Sequence, residues 1–579
     1  MVDGPVLTST GPLSVRRRPF ADAAFLRINR RARRVVLLVK RMSSRASASA
    51  WPLWVALVLL FGCVAAAVRA AMSATDGRFV YALDDAYIHM AMAKNLARHG
   101  VWGCTPFQFS AASSSPLWTA LLGVVFFVTG VHDVSPLLLN LLLLALTLGA
   151  ADVFLRRRGA APLLRAATLV GLVLVFPMPA MALFGMEHVL HLLLTIAFGA
   201  AAVTALADTG PHAASFETSA ALCGLAALLV ASRYEGLFLV GVVCLLCLAC
   251  GQWRRGVAIG IAALVPVAVV GAVSIAHGSL FLPNSLMLKA GGDSASTWTA
   301  IFKPIGGADI VFLQRHPALL WLVVGGLALA TLEFARTRRG RSLTVLMPLV
   351  VAVIVALHVH FALSSEFWVY RYDAYLLGFG VFGVGMTLAG PGQWPSRPPP
   401  WLRGALPAMA VAGCVFAMTD VRAGLYPAQE IASASLTYRE HYEAARFVRE
   451  WHAGETVLVN DLGAMSYFAN ARTLDIFGLC DIEPVRLRRA GAYTPEAVAA
   501  WTAPHAPTIA VVQLSWGWVA QHIPTVWQKV AEVDVLPDGR TLGFFTTTTD
   551  ASAARRLRAE VDHFYGATAG ERGYRVHLF

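Results

Sequence analysis

Long apolar runs fill residues 51–419, and they decide what this chain can fold into. A membrane-crossing helix needs about 20 mainly apolar residues to traverse a hydrocarbon core of about 30 Å. Runs of that order recur at 51–71, 134–155, 162–182, 186–206, 217–232, 235–250, 256–276, 317–334, 343–363, 374–390 and 402–419. The chain has 579 residues, of which 57% are hydrophobic and 14% charged. A soluble domain carries about 25% charged residues. A soluble core is therefore excluded for most of the length, and a polytopic α-helical membrane protein is expected.

Basic residues orient the expected spans. The net charge is +13, and residues 1–50 concentrate it in Arg16, Arg17, Arg18, Arg30, Arg31, Arg33, Arg34, Lys40 and Arg41. A basic arm of this kind suits nucleic acid, but before an apolar run it fits better as a cytoplasmic tail, since Lys and Arg stay on that side. The run 51–71 is nearly a full span after a long basic region, so it reads as an uncleaved anchor. The segment 117–129 is apolar but short. If it crossed, Arg156, Arg157 and Arg158 and every later basic loop would fall outside. Read as a re-entrant or interfacial helix, it leaves about eleven crossings with the basic loops inside. Segments 72–133 and 277–316 are then outer loops, and the Pro-rich stretch 391–400 is cytoplasmic.

From about residue 420 the composition changes. The stretch 434–452 has helical amphipathicity, and 456–460, 473–477, 508–513, 529–535 and 541–546 read as strands around a helix at 495–501. A small periplasmic α/β domain over 420–579 is expected. It holds no GxGxxG or Walker sequence, so nucleotide binding is unsupported. Of eight cysteines, Cys63, Cys223, Cys244, Cys247, Cys250 and Cys414 lie in apolar runs, where they pack as small soft side chains. Cys104 and Cys480 lie in segments expected outside, where a disulfide is permitted.

The stretch most suited to chemistry is Asp84-Asp85-Ala86-Tyr87-Ile88-His89, continuing through Lys94, Asn95, Leu96 and Ala97 to Ser113-Ser114-Ser115-Pro116-Leu117-Trp118. Adjacent carboxylates beside a membrane are costly unless they face water, a cation or a partner. Helix capping is the plain alternative, but it needs only one Asp. The expected topology sends further polar clusters to the same side: Glu187 with His188, Arg233 with Tyr234 and Glu235, Asn284 with Lys289, and Arg371 with Tyr372. That convergence argues for one outward-facing site.

These residues resemble a branch of the GT-C superfamily of membrane glycosyltransferases that includes the mycobacterial terminal arabinofuranosyltransferase. The run from Asp84 to Ile88, Asn95-Leu96-Ala97 and Ser115-Pro116-Leu117-Trp118 are similar to its first outer loop. Gly185-Met186-Glu187, Arg233 with Glu235-Gly236, Leu282-Pro283-Asn284 with Lys289-Ala290-Gly291, and Arg371-Tyr372 follow in order. So do Asp461-Leu462-Gly463-Ala464 and Asp475-Ile476-Phe477-Gly478-Leu479 with Asp481. Ser113–Ser115 stands where relatives often carry an acidic-Gly-Tyr-Thr stretch, and Tyr234 replaces a common Pro, which leaves sugar and acceptor open.

The resemblance implies inverting transfer from a polyprenyl-phosphate-linked sugar to a cell-envelope glycan, lipid or protein. It makes Asp84 the base, with Asp85 positioning the acceptor; together the pair offers oxygen ligands for Mg²⁺ or Mn²⁺. Lys289, Arg371 and Arg233 are candidates for the leaving phosphate, because Arg suits bidentate phosphate contact. Ion pairs of Arg233 with Glu235, and of Arg371 with Asp373 or Glu366, are the structural alternatives. His89, Glu187, His188, Tyr87 and Asn284 are candidates for sugar or acceptor contact. Asp461, Asp475 and Asp481, with Trp516 and Trp518 as stacking surfaces, suit either acceptor binding or structure. Membrane lipid is an expected partner; nucleic acid is not. A lipid-linked sugar flippase is the rival, but transporters place acids near the bilayer midplane within broken helices, and here the paired acids lie in an outer loop.

Overall fold

The computed structural model describes residues 49–208, 215–289, 309, 311–313, 316–361, 371–389, 407–413, 415, 425–566 and 573–579. Among these, Trp51–Ser73, Ser135–Arg157, His188–Ala207, Trp253–Ala276, Pro317–Thr337 and Leu343–His360 are helices long and apolar enough to cross a membrane. Pro162–Val175 and Met178–Phe184 form a pair bent by 41° that makes one further crossing if counted as a single span. Pro177 and Pro179 sit at the break, where each removes a backbone donor and so interrupts the helical ladder. Phe216–Ser232, Gly236–Ala249 and Ala374–Leu388 are apolar but shorter, as is Pro116–Thr129, the expected re-entrant element. Of the expected span 402–419, residues 407–413 are helical, and most of the remainder lies outside the described residues.

Side chains such as Val58, 70% exposed, and Phe127, 78% exposed, point outward from these helices. Outward apolar faces on this scale need a lipid environment. The inward faces form one continuous core running from Leu60 through Trp118, Phe176, Phe198 and Phe379.

The C-terminal part carries a six-stranded sheet in the order β2-β1-β3-β5-β4-β6. Its strands are β1 Thr456–Val459, β2 Arg472–Asp475, β3 Ile509–Gln513, β4 Gln528–Val535, β5 Arg540–Thr546 and β6 Tyr574–Leu578. β1 runs parallel to β2 and β3, whereas β5, β4 and β6 add on antiparallel. The helix Ala551–Tyr565 and strand β6 complete the domain beyond the elements expected from the sequence. One face of the sheet packs Val457, Val459 and Val511 in the same apolar cluster as Ile88 and Met92 of the Asp85–His99 helix. The sheet domain is thereby seated directly on the loop that carries the paired aspartates.

Candidate active site

The geometry starts with two glycines. Gly185 ends the Met178–Phe184 helix at φ +64°, and a Cβ there would run into the Tyr81 ring. Bare backbone at that point lets Tyr81 lie close. The Tyr81 hydroxyl donates to the Asp133 carbonyl at 2.8 Å and accepts from the Leu137 amide at 3.0 Å, which fixes the chain entering Asp84. Gly463 is the second case, since a Cβ there would meet the carbonyl and carboxylate of Asp84.

That approach is used. The Asp84 carboxylate accepts from the Gly463 amide at 2.6 Å and the Ala464 amide at 2.7 Å, at the start of the Gly463–Phe468 helix. Asp84 occupies the N-cap position of its own helix but makes no side-chain cap bond there. The expected choice between capping and chemistry thus gains a third answer: Asp84 ties the outer loop to the sheet domain. Asp85 forms an ion pair with Arg371, and its side chain is 36% exposed to the adjoining cavity. Among the described residues, Arg371 thus pairs with Asp85 and not with Asp373, the nearer of the two acids expected from the sequence. Glu366 lies outside the described residues.

The cavity has a volume of about 1310 Å³ and is lined at one end by Asp84, Asp85, His89, Ser285, Arg371 and Tyr372. His89 Nδ1 lies 2.8 Å from the Thr119 hydroxyl, which lies 2.9 Å from that of Ser113. Burial holds the His89 imidazole below its ordinary pKa, and the nearby Glu187 carboxylate offsets this only in part. Ser115 caps the Pro116–Thr129 helix by accepting from the Trp118 amide, with Pro116 at the first helical position. The Ser-Ser-Ser-Pro-Leu-Trp run is thus a helix start that also aligns His89.

Glu187 is fully buried, 2.5 Å from Arg233 and 3.7 Å from His89. Arg233 also binds Glu235 at 2.6 Å and has His188 Nε2 at 3.4 Å. The ion pair expected between Arg233 and Glu235 is present, and a second, buried partner, Glu187, comes from a distant part of the chain. Tyr372 has the Arg233 and Arg371 guanidinium groups each 5.4 Å from its ring centre, linking the buried pair to the cavity. Tyr87 packs edge-on against Tyr81 and near Phe468, and its hydroxyl accepts from the Tyr81 amide. Asn284 is fully buried and donates to the Leu479 carbonyl at 3.2 Å. Tyr87 and Asn284 thus have packing and bridging environments. Lys289 ends the short helix Asn284–Lys289, whose Ser285 and Leu288 face the cavity.

Two further residues join the aspartates. His441 Nδ1 lies 4.0 Å from Asp84 and 3.6 Å from Asp461. Ligand atoms of Asp84, His441 and Asp461 all lie within 4.8 Å of one another. Burial and the Asp84 charge hold the Asp461 carboxyl well above the usual carboxylate range. Two carboxylates and an imidazole fit a divalent cation such as Mn²⁺ or Zn²⁺. Asp85, expected as the second ligand, is instead held by Arg371, so the fitting set is Asp84, His441 and Asp461. His441 escaped the sequence reading because it reads as one more polar position on an amphipathic helix.

The other outer aspartates are held in a hydrogen-bonded turn of the sheet domain. Asp475 accepts from the Phe477 and Cys480 amides at 2.7 and 2.8 Å. Asp481 accepts from Gln108 at 2.6 Å and from the Asp475 amide at 2.7 Å. Burial and the Asp481 charge outweigh the amides and push the Asp475 carboxyl up to about 7. Beside them Cys104 and Cys480 are joined by a disulfide. Trp516 and Trp518 line the far end of the same cavity.

A family model described as a domain of unknown function, DUF8728, matches residues 429–555. No curated protein matches the sequence. Among solved structures, apo ArnT from Cupriavidus metallidurans is 13% identical with a TM-score of 0.51, covering 87% of this chain and 99% of that one. ArnT from the same organism bound to undecaprenyl phosphate is 14% identical with a TM-score of 0.50, covering 85% and 98%. AglB from Archaeoglobus fulgidus, an oligosaccharyltransferase in complex with an inhibitory peptide and a dolichol-phosphate, is 9% identical with a TM-score of 0.42, covering 88% and 78%. The likeness to ArnT extends over most of both chains, and the two share a fold.

Proposed function

We propose that this protein is an inverting membrane glycosyltransferase. It moves a sugar from a polyprenyl-phosphate donor to a cell-envelope acceptor on the periplasmic face of the inner membrane. The observation that carries this reading is the cavity of about 1310 Å³ with an acid–guanidinium pair, Asp85 and Arg371, at its wall. The shared fold supports it, as does the undecaprenyl phosphate bound to ArnT. The similarity to the arabinofuranosyltransferase branch belongs to the same reading.

Asp85 takes the base role that the resemblance assigns to Asp84. Both carboxylates border the cavity, but both Asp84 oxygens accept backbone amides and its side chain is 9% exposed, whereas that of Asp85 is 36% exposed. In the reaction, Asp85 accepts the proton of the acceptor hydroxyl as its oxygen attacks the anomeric carbon. The bond from that carbon to the phosphate oxygen breaks, and the phosphate leaves with the electron pair. Arg371 meets the charge that develops there, assisted by Lys289. Glu187 and Arg233 hold His89 and Tyr372 from beneath. Asp84, His441 and Asp461 would hold a divalent cation, which when bound supplies positive charge beside the cavity.

The test is to incubate protein in lipid nanodiscs with a panel of polyprenyl-phosphate sugars and follow free polyprenyl phosphate. Release by wild type and its loss in Asp85→Asn are expected, with the variant still folded. Undiminished release from Asp85→Asn would refute the assigned base.

A further inference from the structure

We propose that the end of the cavity built by the sheet domain is an acceptor subsite for a sugar bearing an anionic group, a carboxylate or a phosphate. This deepens the transferase reading and rests on it. The observations begin with Arg488, in the last turn of the Ile482–Arg489 helix. Its guanidinium carbon lies 3.8 Å from the centre of the Trp518 ring, 4.5 Å from Phe477 and 5.3 Å from Tyr493. Trp516 meets Phe477 edge-on at 5.1 Å. All five residues line the cavity that Asp85 and Arg371 border at its other end.

Two features distinguish this enclosure from ordinary packing. Arg488 Nε and Nη2 are buried and have no hydrogen-bond acceptor among the described residues. Buried guanidinium donors left without an acceptor are costly, and native interiors avoid them unless a ligand completes the set. The neighbouring acid does not complete it, because Asp475 is occupied by the Phe477 and Cys480 amides. The second feature is the open aromatic surface: Trp518 remains 39% exposed although its ring is already stacked with Arg488. An arginine recruited only to cover a tryptophan would turn its N–H groups to water or to a carbonyl.

Flat aromatic surfaces beside a few fixed polar donors suit a ring with an apolar face and a polar rim, which describes a sugar. A guanidinium selects the oxyanion, since Arg–carboxylate and Arg–phosphate pairs are charge-assisted and bidentate. Arg540, which also lines the cavity, adds to its positive character while bound to Glu440 at 3.1 Å. The anionic sugar would sit with its charged group at Arg488 and present a hydroxyl toward the Asp85 end.

The test uses the full chain in nanodiscs, titrated calorimetrically with trigalacturonate, glucose 6-phosphate and neutral maltotriose. At least one anionic sugar is expected to bind roughly tenfold or more tightly than the neutral one. The two anionic arms separate carboxylate from phosphate. Arg488→Gln should erase the preference, and Arg488→Lys should restore part of it. Should Arg488→Gln fail to fold, added salt must still narrow the wild-type preference. Equal affinity for charged and neutral sugars overturns the proposal. So does a preference that survives Arg488→Gln, or the absence of any sugar binding to wild type. Sugar binding needs no turnover, so this result is independent of the donor-release assay that tests the transferase reading.

Discussion

Asp84→Asn isolates the joint between the outer loop and the sheet domain. The carboxylate accepts two short amide bonds, at 2.6 and 2.7 Å, and its side chain is 9% exposed. Each charge-assisted bond of this kind contributes about 1.5–3 kcal/mol. Asparagine keeps one acceptor oxygen but turns an NH₂ group toward the second amide. One bond is lost and one donor is left facing another donor, a cost of at least about 1.5–3 kcal/mol. That corresponds to a factor of roughly 10–150 in the local opening equilibrium. Hydrogen exchange reads it directly. The amides of Gly463 and Ala464 should exchange faster by that factor, while β4 and β5 keep their protection. Loss of transfer alone would not separate anchoring from acid–base chemistry, but faster exchange at 463–464 would. Unchanged exchange at those two amides, in a variant that is folded and inserted, would refute the anchoring role.

Other perturbations follow from the same geometry. Gly463→Ala should reproduce the Asp84→Asn exchange signature, because the added Cβ meets Asp84 itself; a wild-type exchange profile would count against the contact. Cys104→Ser removes a cross-link between positions 376 residues apart, at a cost of about 2–5 kcal/mol. Wild-type protein should shift mobility on gels upon reduction, and the variant should not. Asp475 has a carboxyl pushed up to about 7 against 3.8 for an ordinary aspartate, so the folded state binds the proton more tightly than the unfolded chain. Stability should therefore fall as pH rises from about 4 to about 7, then level off; a flat thermal midpoint across that window would contradict the assignment. Mn²⁺ or Zn²⁺ should raise the thermal midpoint of chelator-treated protein, and His441→Ala should abolish the rise.

Much of the fold was legible because it is written in composition. Apolar runs predict spans without any knowledge of packing, and β1, β3, β4 and β5 fall close to the expected strands. The strand expected at 473–477 instead ends at Asp475, whose own carboxylate captures the Phe477 and Cys480 amides and turns the chain. At the site, sequence singled out Asp84, Asp85 and Arg371, because charges beside apolar runs are conspicuous. It did not pair them correctly. Arg371 was matched to nearby acids, whereas folding delivers Asp85 from another part of the chain. Glu187 reaches Arg233 in the same non-local way. His441 and Arg488 stayed hidden, since His441 reads as one more polar position on the amphipathic stretch 434–452 and no motif marks Arg488. Only the enclosing partners, Asp461 for one and Trp518 for the other, distinguish them.

The cavity wall is assembled from residues as far apart in the chain as Ala82 and Arg540. No product cut short before residue 540 contains both ends of it. A ribosome that stalls before Gly463 leaves Cys104 without its mate and Asp84 without its two amides. The cavity is therefore completed late and all at once, and a half-made copy has only part of its wall.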